Sequence, residues 1–261
     1  MEKKLLVIIE NKNNGILIVR LNRPHVLNAL NINLLLKLKE VVNKIKKNRN
    51  IKIVIFTGSG KKAFSSGADL KERIKMNIKE VYNFIDLINK IFNMISNINV
   101  PTIAAINGIA FGGGLELALS CDIRVINEQS KIGLTECSLG VIPGAGGTQR
   151  LTKIVGLSVA KEMIFCSQKI TAKEAYEIGL VNHVSPDEVK TRQKALNIAK
   201  KVIQNSSTSI QAAKKAIDLG YNINIRDALK IENNYYLKIL SSKDRKEGLL
   251  AFKEKRIPVY N

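Results

Sequence analysis

Two acids in apolar or glycine-rich company, Glu116 and Glu136, are the residues of this 261-residue chain best suited to chemistry. Glu116 sits in the run Leu115-Glu116-Leu117-Ala118-Leu119, directly behind the triplet Gly112-Gly113-Gly114, and Glu136 follows twenty positions later. If both carboxyls face one cavity, burial and their like charges raise at least one pKa, and the pair can then share general acid and base work. That separation is too long for a local pair, so tertiary structure must bring them together. A surface position is the competing reading for Glu116, because glutamate is rarely buried without a partner. The three glycines remove every side chain at one spot and free backbone amides to meet a developing negative oxygen, such as that of a thioester enolate. A helix starting there would add its positive end. A tight packing point accounts for a glycine triplet equally well. No Gly-Lys-Ser/Thr follows, so it is not a P-loop, and the spacing is not that of the dinucleotide fingerprint.

Other chemical candidates are weaker. Gly144-Ala145-Gly146-Gly147 behind Pro143 reads as a flexible structural turn leading into a helix. Asp69 is placed to cap a helix starting near Leu70, and Asp122 reads as structural. Lys71, Arg73 and Lys75 form a basic patch that could meet phosphates, with a solvated helix face as the default. The two histidines, His25 and His183, lack any HxxxE or HExxH setting, so metal and His-triad chemistry are poorly supported and no metal ligand is assigned. Cys121, Cys137 and Cys166 form no CxxC and argue against a disulfide framework. A reducing compartment follows: the cytoplasm, or the mitochondrial matrix if a transit peptide is not part of this sequence. Neither a secretory signal nor a membrane span is expected.

Apolar residues make up 45% of the chain and charged residues 25%, an ordinary globular balance. The formal net charge of +20 favours polyanionic partners. The abundance of Lys, Asn and Ile along the whole chain reads as compositional drift rather than as a designed patch.

The elements that must position these residues are those of an α/β protein. Leu5 to Ile9 and Gly15 to Leu21 predict a strand pair around a polar turn. Leu30, Leu34, Leu35, Leu38, Val41, Val42 and Ile45 predict a helix over Asn28 to Lys47, and Phe84, Ile85, Ile88, Ile91, Phe92 and Ile95 another over Val81 to Ile98, closed before Pro101. Strands follow at Ile51–Phe56, Thr102–Ile106 and Ile123–Asn127, so strand and helix alternate and imply crossovers. From Thr148 onward the blocks are mainly helical: Ser158 to Phe165, Ala172 to Ile178, Pro186 to Ile203, Ile210 to Leu219, Ile225 to Leu240 and Asp244 to Phe252. No internal repeat emerges from the periodicity.

Over almost its whole length the chain resembles the crotonase, or enoyl-CoA hydratase, superfamily. The likeness rests on NRPHVLNAL (22–30), KAFSSGADLKE (62–72), PTIAAINGIAFGGGLELALSCD (101–122), GLTECSLGVIPGAGGTQRL (133–151), AKEAYEIGLVNHV (172–184) and DRKEGLLAFKEKR (244–256), in that order. The resemblance implies a spiral of ββα units over residues 1–200, carrying the CoA site, and a C-terminal helical region over 201–261 that drives a homotrimer or a dimer of trimers. It implies catalytic roles for Glu116 and Glu136 and an oxyanion hole of the Ala68 and Gly113 amides. It further implies CoA contacts along Ala63, Ser66, Gly67 and Leu70, with Lys71 beside the diphosphate and a neighbour's CoA near Phe252 and Lys255. No separate cofactor is expected, because the substrate itself carries coenzyme A. Within the superfamily the chain looks most like the 3-methylglutaconyl-CoA hydratase group, whose members also bind RNA; a general short-chain enoyl-CoA hydratase, another crotonase-type lyase or isomerase, and an RNA-binding protein of the same fold compete. That group presents three lysines at four-residue spacing on its first long helix. Here Ile32, Leu36 and Glu40 hold the corresponding positions, so only weak, sequence-independent RNA association is expected.

Overall fold

The computed structural model describes residues 5–260. The chain opens with a hairpin of β1 (Val7–Lys12) and β2 (Ile16–Leu21), then α1 (Ile32–Lys47). Next come β3 (Ile53–Gly58), β4 (Ala63–Ser65), α2 (Leu70–Arg73) and α3 (Ile78–Ser96), then β5 (Thr102–Ile106), β6 (Ile109–Phe111) and α4 (Gly113–Leu119). A third passage runs β7 (Ile123–Asn127), β8 (Lys131–Gly133), α5 (Gly147–Val155) and α6 (Leu157–Phe165). The remainder is β9 (Ile170–Thr171), α7 (Ala172–Glu177), β10 (His183–Ser185) and α8 (Glu188–Val202), followed by α9 (Ser207–Gly220), α10 (Ile225–Ile239) and α11 (Lys243–Glu254).

The strands sort into a six-stranded sheet of order β1-β2-β3-β5-β7-β10 and a four-stranded sheet of order β4-β6-β8-β9. Each of the passages starting at β3, β5 and β7 places its first strand in the large sheet and its second in the small one before turning into helix. This is the ββα spiral of the crotonase fold. Its repeat escapes sequence periodicity because β4, β6 and β8 are three residues each, too short to show an alternation.

The large sheet is parallel from β2 onward and buried on both faces, which is why β3 and β5 read as unbroken apolar runs. One face packs against α1 and α3 through Leu34, Leu38, Val42, Ile91, Phe92 and Ile95. The other, with Ile16, Ile18, Ile53, Ile55, Ile103 and Val125, is covered by Ala195 and Ala199 of α8.

Helix boundaries shift from the expected ones where capping decides. The helix expected from Asn28 begins at Ile32, because the Asn31 side chain accepts the Leu34 amide at 3.0 Å as N-cap. Leu27 and Asn28 instead take positive φ, and Leu30 bridges Ala68. The helix expected from Val81 begins three residues earlier, in a capping box between Asn77 and Glu80.

Beyond α8, helices α9 and α10 lie against each other, and Lys214 is the one buried residue of that pair. Its Nζ donates to Asp122 Oδ2 at 2.5 Å. The same oxygen accepts the Thr102 amide at 2.7 Å, so the structural reading of Asp122 extends to tying α9 to β5. Among the described residues, no helix is long and apolar enough to cross a membrane.

Candidate active site

A cavity of about 710 Å³ opens between the two sheets' loops and α3. Its walls come from Ser66, Gly67, Ala68, Leu70 and Arg73, from Val81, Phe84, Ile85 and Ile88 of α3, from Gly112, Gly113 and Glu116, and from segment 135–136, Leu139 and segment 141–145. The spiral therefore brings Glu116 and Glu136 to one space, each supplied by a different ββα passage.

Glu116 lies on α4 and is 2% exposed, so the surface alternative does not hold for it. Its Oε1 accepts two backbone amides, from Ala145 at 2.7 Å and Gly147 at 2.8 Å. Burial raises its pKa, and these two amides and the nearby Arg150 charge oppose the rise without cancelling it. Glu136 starts the short helical turn 136–139 and is half-buried. Its Oε2 is shut away from solvent and, among the described residues, has no hydrogen-bond partner. Burial, and then the Glu116 charge, push the Glu136 carboxyl up to about 7. The site thus holds one carboxylate fixed by donors and one carboxyl that keeps its proton to near neutrality. Such a pair can take a proton at one atom and give one at another.

The Ala68 and Gly113 amides donate to no acceptor among the described residues. Each follows a glycine with positive φ, +93° at Gly67 and +49° at Gly112. A methyl group on Gly67 would lie 2.7 Å from the Phe111 carbonyl oxygen and 3.3 Å from the Gly113 nitrogen, so only glycine lets the two strands' ends approach this closely. A methyl on Gly112 would meet Glu136 Oε1 at 2.9 Å. The triplet is therefore both a close-packing point and the place where backbone donors line the cavity.

The residues expected to contact CoA divide between the cavity and the surface around it. Ser66, Gly67 and Leu70 line the cavity, whereas Ala63 is buried in β4 and borders a separate cleft with Pro24, His25, Lys61 and Lys62. Lys71 is exposed and outside the cavity; Arg73, expected on a solvated face, is half-buried, lines the cavity and stacks over the Phe84 ring at 4.8 Å. Phe252 and Lys255 lie at the end of α11, exposed and away from their own chain's cavity.

The segment Gly144–Gly147, read from sequence as a structural turn, is part of the site through its amides to Glu116. Arg150 holds it, donating to the Ala145 carbonyl at 2.9 Å and to Asn93 Oδ1 at 2.6 Å, while Asn89 donates to the Gly144 carbonyl. The glycines beside Pro143 were the available signal, but which acid they would meet depended on the fold.

The family model for enoyl-CoA hydratase/isomerase matches residues 11–261. The chain belongs to the enoyl-CoA hydratase/isomerase family. A mitochondrial methylglutaconyl-CoA hydratase of Mus musculus is 44% identical over 255 residues, covering 97% of this chain and 81% of that protein. A short-chain-enoyl-CoA hydratase of Clostridium acetobutylicum is 41% identical over 250 residues, 95% of both chains. The crystal structure of an enoyl-CoA hydratase from Bacillus anthracis superposes with a TM-score of 0.96 at 42% identity, covering 98% of this chain and 99% of that one. As a member of that family the chain is an enzyme of the hydro-lyase type, acting on enoyl-CoA thioesters.

Proposed function

We propose that Glu116 and Glu136 are the acid–base pair of a reversible hydration, and that the thioester oxygen is held by the Ala68 and Gly113 amides. Glu116, as carboxylate, takes a proton from a water as its oxygen bonds to C3 of the enoyl thioester. The C2–C3 π electrons move toward the thioester, and negative charge grows on its oxygen against the two amides, where donors lower the barrier most. Glu136 then gives its proton to C2, yielding the 3-hydroxyacyl thioester. The observation that carries this reading is the unequal pair in one cavity, Glu116 clamped as an acceptor and Glu136 raised to about 7.

The CoA moiety acts as a handle, with its pantetheine along Ser66, Gly67 and Leu70, its adenine toward the Ala63 cleft and its diphosphate near Lys71. Phe252 and Lys255 complete a neighbour's CoA site in a homotrimer or a dimer of trimers. The exposed apolar residues Ile217, Leu229, Tyr236 and Leu237 on the terminal helices support that assembly. The preferred substrate is 3-methylglutaconyl-CoA, supported by the likeness to methylglutaconyl-CoA hydratases.

A spectrophotometric hydration screen of crotonyl-CoA, longer enoyl-CoAs and 3-methylglutaconyl-CoA tests the reading. The highest kcat/KM is expected for the last, and failure to hydrate any of them would overturn it. RNA association is secondary, weak and salt-labile, supported by the net charge of +20; a gel shift showing tight sequence preference at physiological salt contradicts it. The free cysteines suit a reducing compartment, the cytoplasm or the mitochondrial matrix.

A further inference from the structure

Among the described residues lining the cavity, Arg73 is the one cation; the other charged side chains there are Glu116 and Glu136. Its guanidinium is unusually unoccupied. Of the two acids beside it, Asp69 pairs with Arg23 at 2.9 Å and Glu72 accepts the Ile32 amide at 3.0 Å. No ion pair or hydrogen bond forms at the Arg73 guanidinium among the described residues, and the group lies over the Phe84 ring at 4.8 Å. Burial alone lowers its pKa, with no acid charge opposing the shift. Among the described residues Arg73 pairs with neither cavity acid, and the charge that lowers the Glu116 pKa is that of Arg150.

A cavity meant for a plain hydrocarbon acyl chain has no use for such a group. Its neighbours Val81, Phe84, Ile85 and Ile88 already supply apolar walls, and a partly desolvated guanidinium gains from an anionic partner. The arrangement does suit an anion that arrives with the ligand. An acyl chain ending in a carboxylate would otherwise enter a cavity whose other fixed charges are two acids, and like charge would oppose it. A guanidinium offers that carboxylate two parallel N–H donors in a fork that an ammonium lacks.

We infer that Arg73 is a specificity-determining residue that binds a carboxylate at the distal end of the acyl chain, selecting 2-enoyl thioesters with a second carboxyl group. This rests on the hydratase reading above and names the residue behind its substrate preference. The remaining source of an anion, a CoA phosphate, is common to every substrate and is separated from the acyl carboxylate by the test.

The experiment compares wild type, Arg73→Met and Arg73→Lys on two paired probes, with thermal melting to verify that each variant folds. Steady-state rates are measured for 3-methylglutaconyl-CoA and crotonyl-CoA, and competitive inhibition constants for glutaryl-CoA and butyryl-CoA, which differ in the distal carboxylate. Arg73→Met is expected to shift the ratio of kcat/KM toward crotonyl-CoA by about 10- to 100-fold, chiefly through KM, because a site built to bond a group disfavours the analogue that lacks it, and the variant loses that bonding. The preference for glutaryl-CoA over butyryl-CoA should fall by a similar factor, and Arg73→Lys should retain part of both. Equal loss on both members of each pair assigns Arg73 to the CoA phosphates and overturns the inference. So does a wild type that binds glutaryl-CoA no more tightly than butyryl-CoA. A wild type that shows the glutaryl preference but hydrates no enoyl thioester sinks the hydratase reading while leaving the carboxylate contact standing.

Discussion

The Oε1 oxygen of Glu116 accepts the Gly147 amide at 2.8 Å, and the Ala145 amide reaches the same oxygen at 2.7 Å. One oxygen of this carboxylate is thereby fixed by backbone donors across 31 residues of sequence, while the residue still borders the cavity. The clamp orients the carboxylate and moderates the rise in pKa that burial imposes. A carboxylate held this way suits the base role proposed for it, with Glu136 as the proposed proton donor.

Glu116→Gln and Glu136→Gln preserve size and most hydrogen bonding but remove proton transfer. Each is expected to lower kcat by about 10²- to 10⁴-fold with little change in CoA-thioester affinity. The double variant should fall well short of the product of the two losses, because the residues serve one step. Stopped-flow or steady-state hydration of crotonyl-CoA and 3-methylglutaconyl-CoA measures this, and near-wild-type turnover by Glu136→Gln would defeat the assignment.

The pH profile follows from the unequal pair. Glu136, raised to about 7, loses its proton through that region, so kcat/KM should decline on the alkaline side. On the acid side the rate should decline as Glu116 gains a proton, and the two limits belong to the coupled pair. Stability carries the matching sign. The folded chain keeps a proton on Glu136 that the unfolded chain releases from about pH 4.5 upward, so this contribution is lost as pH rises toward about 7. Glu136→Gln should flatten that slope in denaturant titrations; an unchanged slope argues against the raised carboxyl.

Arg150→Leu releases the loop that clamps Glu116 and removes the positive charge beside it. Turnover is expected to drop by about tenfold, the scale set by small misplacements of catalytic groups. The acid limb should move to higher pH, because the lost charge had been lowering the Glu116 pKa. A drop in rate with an unmoved acid limb would restrict Arg150 to packing.

Lys214→Ala leaves Asp122 without its cation where α9 meets the core. A loss of about 2 kcal/mol or more in unfolding free energy is expected from chemical denaturation. Lys214→Met combined with Asp122→Asn should cost less than the sum of the single changes. Strict additivity would show that the 2.5 Å contact contributes nothing to stability.

The apolar face on α9 and α10 predicts a mass three or six times the 28.9 kDa of one chain by light scattering. Ile217→Glu on that face, 66% exposed in the single chain, should shift the distribution toward smaller species. A stable monomer of the unaltered chain at micromolar concentration removes the assembly proposal.

The division between sequence and tertiary structure runs along the range of the interactions. Residue order by itself determined α1 and α3, because their apolar stripes repeat at helical spacing, and the buried strands β3, β5 and β7, because both of their faces are covered. It also marked Glu116 and Glu136 as acids in unusual company, and the motif order identified the family. Asp69 as the cap of α2 was equally local, and the structure has it accepting the Glu72 amide. Only the tertiary structure decided what these residues meet. The three-residue strands β4, β6 and β8 carry no periodicity and exist because neighbours pair with them. The donors for Glu116 come from a loop that looks like a plain turn until the spiral carries it back over α4. Lys71 and Arg73 are both basic and two positions apart, and nothing in their types separates them. The orientation of a single helical turn against Phe84 puts one in solvent and the other in the cavity, since burial is settled by packing across the fold rather than by the residue's own chemistry.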